Sequence, residues 1–132
     1  MSALQTLQPE GWPRPKGYAN GVAAAGRLVF VAGTIGWDET ETLVSDDFAE
    51  QFRQVLVNTL AVLAEAKAGP EHIARMTWFV TSRDEYLAAA PALGRVWKEL
   101  MGRNYPTMSV VIVAGLVETR AKLEIETTAV VG

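Results

Sequence analysis

The sequence predicts an α+β fold in which two helices cover one face of a sheet. Two long segments, at 48–63 and 84–102, repeat apolar residues at intervals of three and four, the period of an amphipathic helix. Short runs of β-branched and aromatic residues precede, separate and follow them, as strands do. Because a single strand lies between the helices, at least one crossover connection is required.

The length of 132 residues fits one domain with its own core. The chain has no cysteine and one histidine, which excludes disulfides, thiolate chemistry and a His-rich metal cluster but leaves carboxylate-only cation sites open. A net charge of −3 gives no basic footprint for nucleic acid. No apolar run is long enough for a bilayer and no secretory signal is present, so we expect a cytoplasmic protein without a membrane or nucleic-acid partner.

The N-terminal segment is rich in proline. Residues 1–16 contain Pro9, Pro13 and Pro15, which predict an irregular entry to a single domain over residues 17–132. Trp12 could pin this segment to the domain.

Two short apolar runs open the domain. The runs at 18–25 and 28–35 are joined by Gly26, which predicts a hairpin whose second strand is buried on both faces. Gly33 in the second run marks a bulge, a packing contact or a place where a ligand meets the backbone. A further short strand could form at 43–44.

Both helices have recognisable boundaries. Asp47 and Glu50 form a capping-box pattern before the first helix, which stops by Gly69. The second begins at Asp84, and Pro91 is expected to kink it or reset its first turn. His72 precedes the strand at 75–81 and is interpreted as a surface turn residue.

The last quarter of the chain predicts two paired strands, at 106–116 and 121–131, at the heart of the sheet. Alternation places Glu124 and Glu126 on one strand face. These carboxylates are either solvated surface charges or part of a cleft in which one acts on a water or a substrate nitrogen. Val110 and Ile112 are expected on the uncovered sheet face, which predicts self-association.

Several ordered segments carry a family resemblance: Gly17-Tyr18, the strands at 28–33 and 76–81, Pro106-Thr-Met-Ser109 and Lys122-Leu-Glu-Ile-Glu126. The chain resembles the reactive-intermediate deaminase (Rid or YjgF) family, also labelled L-PSP endoribonucleases or translation initiation inhibitors. The resemblance implies a chorismate-mutase-like fold and a homotrimer with a barrel-like centre and small-molecule clefts between subunits. It also implies hydrolysis of 2-imino or 2-enamino acids to 2-keto acids and ammonia, without metal or organic cofactor.

The resemblance also assigns site residues. Glu124 matches the glutamate that holds the hydrolytic water, whereas the substrate-binding positions are Tyr18, Ala32, Gly33, Met108 and Val110. Met108 stands where active deaminases have an arginine that grips the substrate carboxylate. Val110 takes the place of a cysteine-type residue and Ala90 that of a helix asparagine, so three polar positions have become apolar.

Three functional hypotheses follow. The first is a Rid-like hydrolase with a divergent cleft, in which Arg103 or Arg120 could replace the missing arginine. The second is a non-catalytic trimer that binds a small metabolite or another protein through the altered cleft. RNA cleavage ranks last, because a histidine pair and a basic surface are both missing from the pattern.

Overall fold

The structure is a computed structural model that describes residues 4–132. Within this range the chain forms six strands, two α-helices and one 3₁₀ turn. In chain order these are β1 (Leu4–Leu7), β2 (Gly21–Ala24), β3 (Arg27–Thr34), α1 (Phe48–Glu65), the 3₁₀ turn (Pro70–His72), β4 (Ile73–Val80), α2 (Arg83–Met101), β5 (Thr107–Ile112) and β6 (Leu123–Val131).

Four strands form the main sheet, in the order β3-β6-β4-β5. β4 and β5 are parallel and are joined through α2, which confirms the predicted crossover. β6 lies inside the sheet, antiparallel to both of its neighbours. The prediction that the last two strands pair with each other is wrong. Because the crossover brings β5 to one side of β4, β6 occupies the other side and β5 becomes an edge.

The predicted hairpin near the N-terminus is also wrong. β2 pairs with β1 in a separate two-stranded sheet, whereas β3 pairs with β6. The β1 strand occupies Leu4–Leu7, so the segment 1–16 is not irregular throughout. Residues 1–3 of that segment lie outside the described range. β1 supplies the hydrogen-bonding partner for β2, and pairing with β6 lets β3 bury Val31 in the core.

Both helices pack on the same face of the main sheet, which confirms the predicted α+β fold. The buried sheet residues alternate along β4 and β6, with Met76, Trp78 and Val80 facing the same layer as Leu123 and Ile125. The side chains of α1 and α2 that complete this core are Phe48, Phe52, Val55, Leu56, Leu63, Leu93, Trp97 and Met101. The apolar periodicity of the two helices therefore identified most of the core, whereas Leu87, also part of the predicted apolar pattern of the second helix, is exposed.

The opposite sheet face is uncovered in the single chain. Phe30 is 71% exposed and Leu28 is 57% exposed, so β3 is not buried on both faces. Val110 and Ile112 do not lie on this face, contrary to expectation. Their register with Trp78 and Val80 turns them toward the helices, because paired residues of neighbouring strands point to the same side.

Polar side chains cap the start of both α-helices. The Asp47 carboxylate accepts a hydrogen bond from Glu50 N at 3.0 Å and caps α1. Ser82 caps α2 in the same way, and Pro91 lies inside that helix without ending it.

His72 ends the 3₁₀ turn, where its Nδ1 accepts a hydrogen bond from Gly69 N, as expected for a turn residue. The segment 43–44 contributes one isolated bridge, between Leu43 and Trp37.

Candidate functional site

All of the predicted site residues except Ala32 lie in two separate cavities of the single chain. One, which we call the aromatic cavity, is lined by Tyr18, Trp78, Tyr86, Trp97, Met108 and Val110, among others, and has a volume of about 380 Å³. The other, the Glu124 cavity, has a volume of about 760 Å³ and contains Gly33 and Glu124. The two cavities share no lining residue.

The wall of the aromatic cavity is built by sheet register. Met108 pairs with Met76 and Val110 with Trp78 across the parallel β4 and β5 strands, so both side chains point toward the helix layer. From α2, Ala90 contributes to the same wall. The residues that the resemblance aligns with an arginine, a cysteine-type residue and an asparagine are thus brought together, and all three are apolar.

Aromatic rings form most of the remaining wall. Phe52 and Trp78 have ring centroids 4.9 Å apart, and Trp78 meets Tyr86 edge to face at 6.3 Å. Trp78 and Trp97 are about 95% buried, as expected of core residues, yet their indole N–H groups have no hydrogen-bond partner among residues 4–132. Both indole nitrogen atoms have almost no accessible surface, so the two side chains present ring carbon atoms to the cavity.

Lys16 is the charged residue in the lining of the aromatic cavity. It lies in the chain segment that leads to Tyr18 and forms no ion pair within the part of the chain that the structure describes. Arg120, one of the two expected replacement cations, is paired with Asp46 at 2.9 Å and lines a different depression. Arg103, the other, lines neither cavity.

Gly33 and Glu124 are in direct contact. The register between β3 and β6 advances three residues on β3, from Val31 to Thr34, but two on β6, so β3 contains a bulge at Ala32 and Gly33. This confirms the bulge interpretation of Gly33. A Cβ placed on Gly33 would lie 2.5 Å from Glu124 Oε2, so the carboxylate occupies the space that a side chain would need.

The Glu124 carboxylate is half-buried and has no hydrogen-bond or ion-pair partner among residues 4–132. The cavity around it carries five carboxylates and no basic side chain: Asp38, Glu39, Glu41, Glu118 and Glu124. Such a wall favours water or a cationic nitrogen over an anion. It does not resemble the aromatic cavity in charge or in apolar surface.

A polar network holds the rim of the Glu124 cavity. Asn58 of α1 donates hydrogen bonds to the backbone oxygens of Ile35 and Trp37, which fixes the start of the loop after β3. Within that loop, hydrogen bonds from the Thr40 hydroxyl and backbone and from Thr42 N lower the pKa of Asp38 below its usual value. The loop therefore presents a stabilised negative charge to the cavity.

The structure does not unite all of the predicted site residues within one chain. Glu124 and Gly33 share one cavity, and Tyr18, Met108 and Val110 share the other. Ala32 lines a third depression on the uncovered sheet face, beside Phe30. The sequence interpretation missed Lys16, whose position next to Gly17-Tyr18 was the available signal, and it treated Trp78 and Trp97 as core residues alone.

Residues 4–132 contain neither a metal-binding cluster nor a membrane-spanning helix. No group of three or more histidine, aspartate or glutamate side chains is placed to hold a metal ion. No helix in this range is long and apolar enough to cross a membrane.

The sequence matches a known protein family over most of its length. Residues 13–131 match the family model described as Endoribonuclease L-PSP. The chain belongs to the L-PSP family. Among curated L-PSP relatives, the RutC family protein slr0709 of Synechocystis is 35% identical over 118 residues, covering 88% of this chain and 86% of the relative. The RutC family protein UK114 of Drosophila melanogaster is 31% identical over 120 residues, covering 90% and 83%.

Solved L-PSP structures share the fold over nearly the whole chain. YyfB of Yersinia pestis, described as a protein of unknown function of the conserved Rid family, superposes with a TM-score of 0.85 at 27% identity, covering 98% of this chain and 99% of that one. RidA from an Antarctic Psychrobacter superposes with a TM-score of 0.69 at 26% identity, covering 96% and 99%. These comparisons establish the Rid/YjgF fold and family.

Proposed function

We propose that this L-PSP protein is a hydrolase of the imine or enamine deaminase type, acting in a cleft between subunits of a homotrimer. The observation that carries the proposal is the Glu124 carboxylate, which is unpaired, half-buried and held against the backbone at Gly33. A carboxylate in such a position is free to bind a water molecule and exchange a proton with it.

The proposed reaction needs no group beyond water and this carboxylate. Glu124 accepts a proton from the water while the water oxygen forms a bond to the carbon of the protonated imine; the electrons of the carbon–nitrogen double bond move to the nitrogen, which gives a neutral carbinolamine. Glu124 then returns this proton to the nitrogen. The carbon–nitrogen bond breaks and ammonia leaves, while the hydroxyl oxygen forms the carbonyl and gives its proton to the Glu124 carboxylate. The acidic wall of the Glu124 cavity would stabilise the nitrogen in its cationic, departing form.

A second copy of the chain is required because the two cavities lie apart. Glu124 points from β6 to the uncovered sheet face, whereas Met108 points from β5 to the helix layer. Pairing the Glu124 cavity of one subunit with the aromatic cavity of its neighbour would assemble a complete cleft. The exposed apolar residues of β3, Leu28 and Phe30, are suited to such an interface.

The test is ammonia release from freshly generated 2-imino acids by the native protein and by Glu124→Gln. We expect turnover to fall by about 10²–10⁴-fold in the variant, because Gln cannot accept the proton. Glu65→Gln, an exposed residue at the end of α1 that lines neither cavity, is the control and should retain turnover. Equal turnover in the native protein and Glu124→Gln would refute the assigned role.

The second candidate function is metabolite binding without catalysis, and the apolar trio Met108, Val110 and Ala90 favours it. Met108→Arg distinguishes the two. An arginine here would restore a charge-assisted grip on a carboxylate that is worth about 2–5 kcal/mol in a desolvated cleft. Turnover that appears only in Met108→Arg would mean that the native chain has the hydrolytic residues but lacks a side chain that binds the substrate carboxylate. Native and variant proteins that both lack turnover but bind ligand would support the binding function.

RNA cleavage, named in the family description, finds less support. The chain has a single histidine, which the 3₁₀ turn uses for a backbone hydrogen bond, and its net charge is −3. We therefore propose no RNA substrate.

A further inference from the structure

We infer that Lys16 is the cation of the aromatic cavity, and that the cavity takes a small monocarboxylate with an aromatic or branched apolar side chain. The inference rests on the proposed function, because it names the substrate class of the same cleft. It identifies a specificity residue in place of Arg103 and Arg120.

The charge argument begins with what lines the cavity. Lys16 is its charged lining residue, and the ammonium has no ion-pair partner among residues 4–132. Arg120 already binds Asp46 through two nitrogen atoms, at 2.9 and 3.2 Å. A flexible ammonium at the mouth of an apolar cavity can follow a carboxylate over a range of positions, whereas a guanidinium demands one planar geometry.

The apolar argument concerns size and wall chemistry. A volume of about 380 Å³ is within the range of small-molecule sites. The rings of Tyr18, Phe52, Trp78, Tyr86 and Trp97 surround it. A Cβ on Gly94 would meet nothing within 4 Å, so the α2 side of the cavity is open space that a bulky group can fill. A ligand as small as propanoate would leave most of this apolar wall in contact with water.

The experiment compares two ligands of equal shape by isothermal titration calorimetry at low ionic strength. The probes are 3-phenylpropanoate and its neutral amide, 3-phenylpropanamide, with propanoate as the probe without a ring. We expect the native protein to bind 3-phenylpropanoate more tightly than either of the others. Added salt should weaken binding of the acid and leave that of the amide unchanged.

Lys16→Gln should raise the Kd of the acid by about fivefold to tenfold, because one exposed charge pair is lost, and alter that of the amide less than about twofold. Arg103→Gln is the matched control, since it removes the same charge from an exposed position outside the cavity. Ala90→Leu places extra carbon atoms into the cavity and should weaken the acid and the amide alike.

The inference would be overturned by no binding of 3-phenylpropanoate, by equal binding of the acid and the amide, or by equal losses in Lys16→Gln and Arg103→Gln. The ligands are not hydrolysed, so the result is independent of catalysis. If binding depends on Lys16 but no ammonia is released, the proposed hydrolase function is refuted and the proposed ligand class is supported. Ammonia release that is unaffected by Lys16→Gln would refute the inference alone.

Discussion

Two glycines three residues apart, Gly33 and Gly36, face very different neighbours. A Cβ on Gly33 would lie 2.5 Å from Glu124 Oε2, the far end of a flexible side chain. A Cβ on Gly36 would lie 2.7 Å from the Cα and the backbone oxygen of Gln51, inside helix α1. The first clash can be relieved by moving a carboxylate, but the second requires a helix to shift.

Gly33→Ala is therefore expected to change the free energy of unfolding by less than about 1 kcal/mol while displacing Glu124. Gly36→Ala is expected to lower it by about 2–3 kcal/mol, because the backbone of α1 cannot yield without disturbing the core. Urea denaturation followed by circular dichroism measures both. Ammonia release in Gly33→Ala should fall with Glu124 displaced. Equal stability losses in the two variants would contradict this account.

Three chain segments meet at one side chain, that of Gln51, which is fully buried in the first turns of α1. Its Nε2 donates hydrogen bonds to Ser45 O at 2.8 Å and to Arg120 O at 3.1 Å. Its Oε1 accepts one from Lys122 N at 2.9 Å. The amide thus ties α1 to the preceding loop and to the entry of β6, two residues before Glu124.

Gln51→Met keeps the approximate length of the side chain and removes all three hydrogen bonds. We expect a loss of about 1–3 kcal/mol in unfolding free energy, because three part-buried backbone groups lose the side chain that pairs with them. The matched control is Gln54→Met on the same helix, which removes a single half-buried bond to Asn58 and should cost less than about 1 kcal/mol. Chemical denaturation of both variants measures the difference. Similar losses would show that the link between α1 and β6 adds little.

The helices leave one face of the main sheet uncovered. It presents Phe30, Phe79 and Val111 together with Arg75 and Glu126, so it is mixed rather than uniformly apolar. A face of this composition is suited to a specific interface in which charges pair and rings are buried. The homotrimer that we propose would cover it.

Phe30→Glu places a charge at the most exposed ring of this face and should shift the protein from about three chain masses toward one, because burying an unpaired carboxylate is costly. Leu87→Glu is the control, since Leu87 is 59% exposed on α2 and lies outside the sheet face. It should leave the mass unchanged. Sedimentation equilibrium measures both. A native protein that is monomeric would refute the trimer, and an unchanged mass in Phe30→Glu would exclude this face.

Elements with local signals could be predicted from the amino-acid sequence alone. Apolar spacing located α1 and α2, Asp47 identified the start of α1, and strict alternation placed Glu124 and Glu126 on one face of β6. The ordered motifs also led to the correct family. Such features depend on residues within a few positions of one another, so they can be read before any tertiary contact is known.

Strand pairing and the grouping of the site residues could not be predicted without the folded chain. The apolar run at 28–35 has the same sequence pattern whether its strand pairs with β2 or with β6. In the structure it pairs with β6, and this pairing buries Val31 beneath α1. Likewise, the sequence placed Lys16 beside Tyr18 but could not show that both line the cavity of Met108, 90 residues further on. Long-range contacts carry no local signature, because they depend on how separate elements pack together.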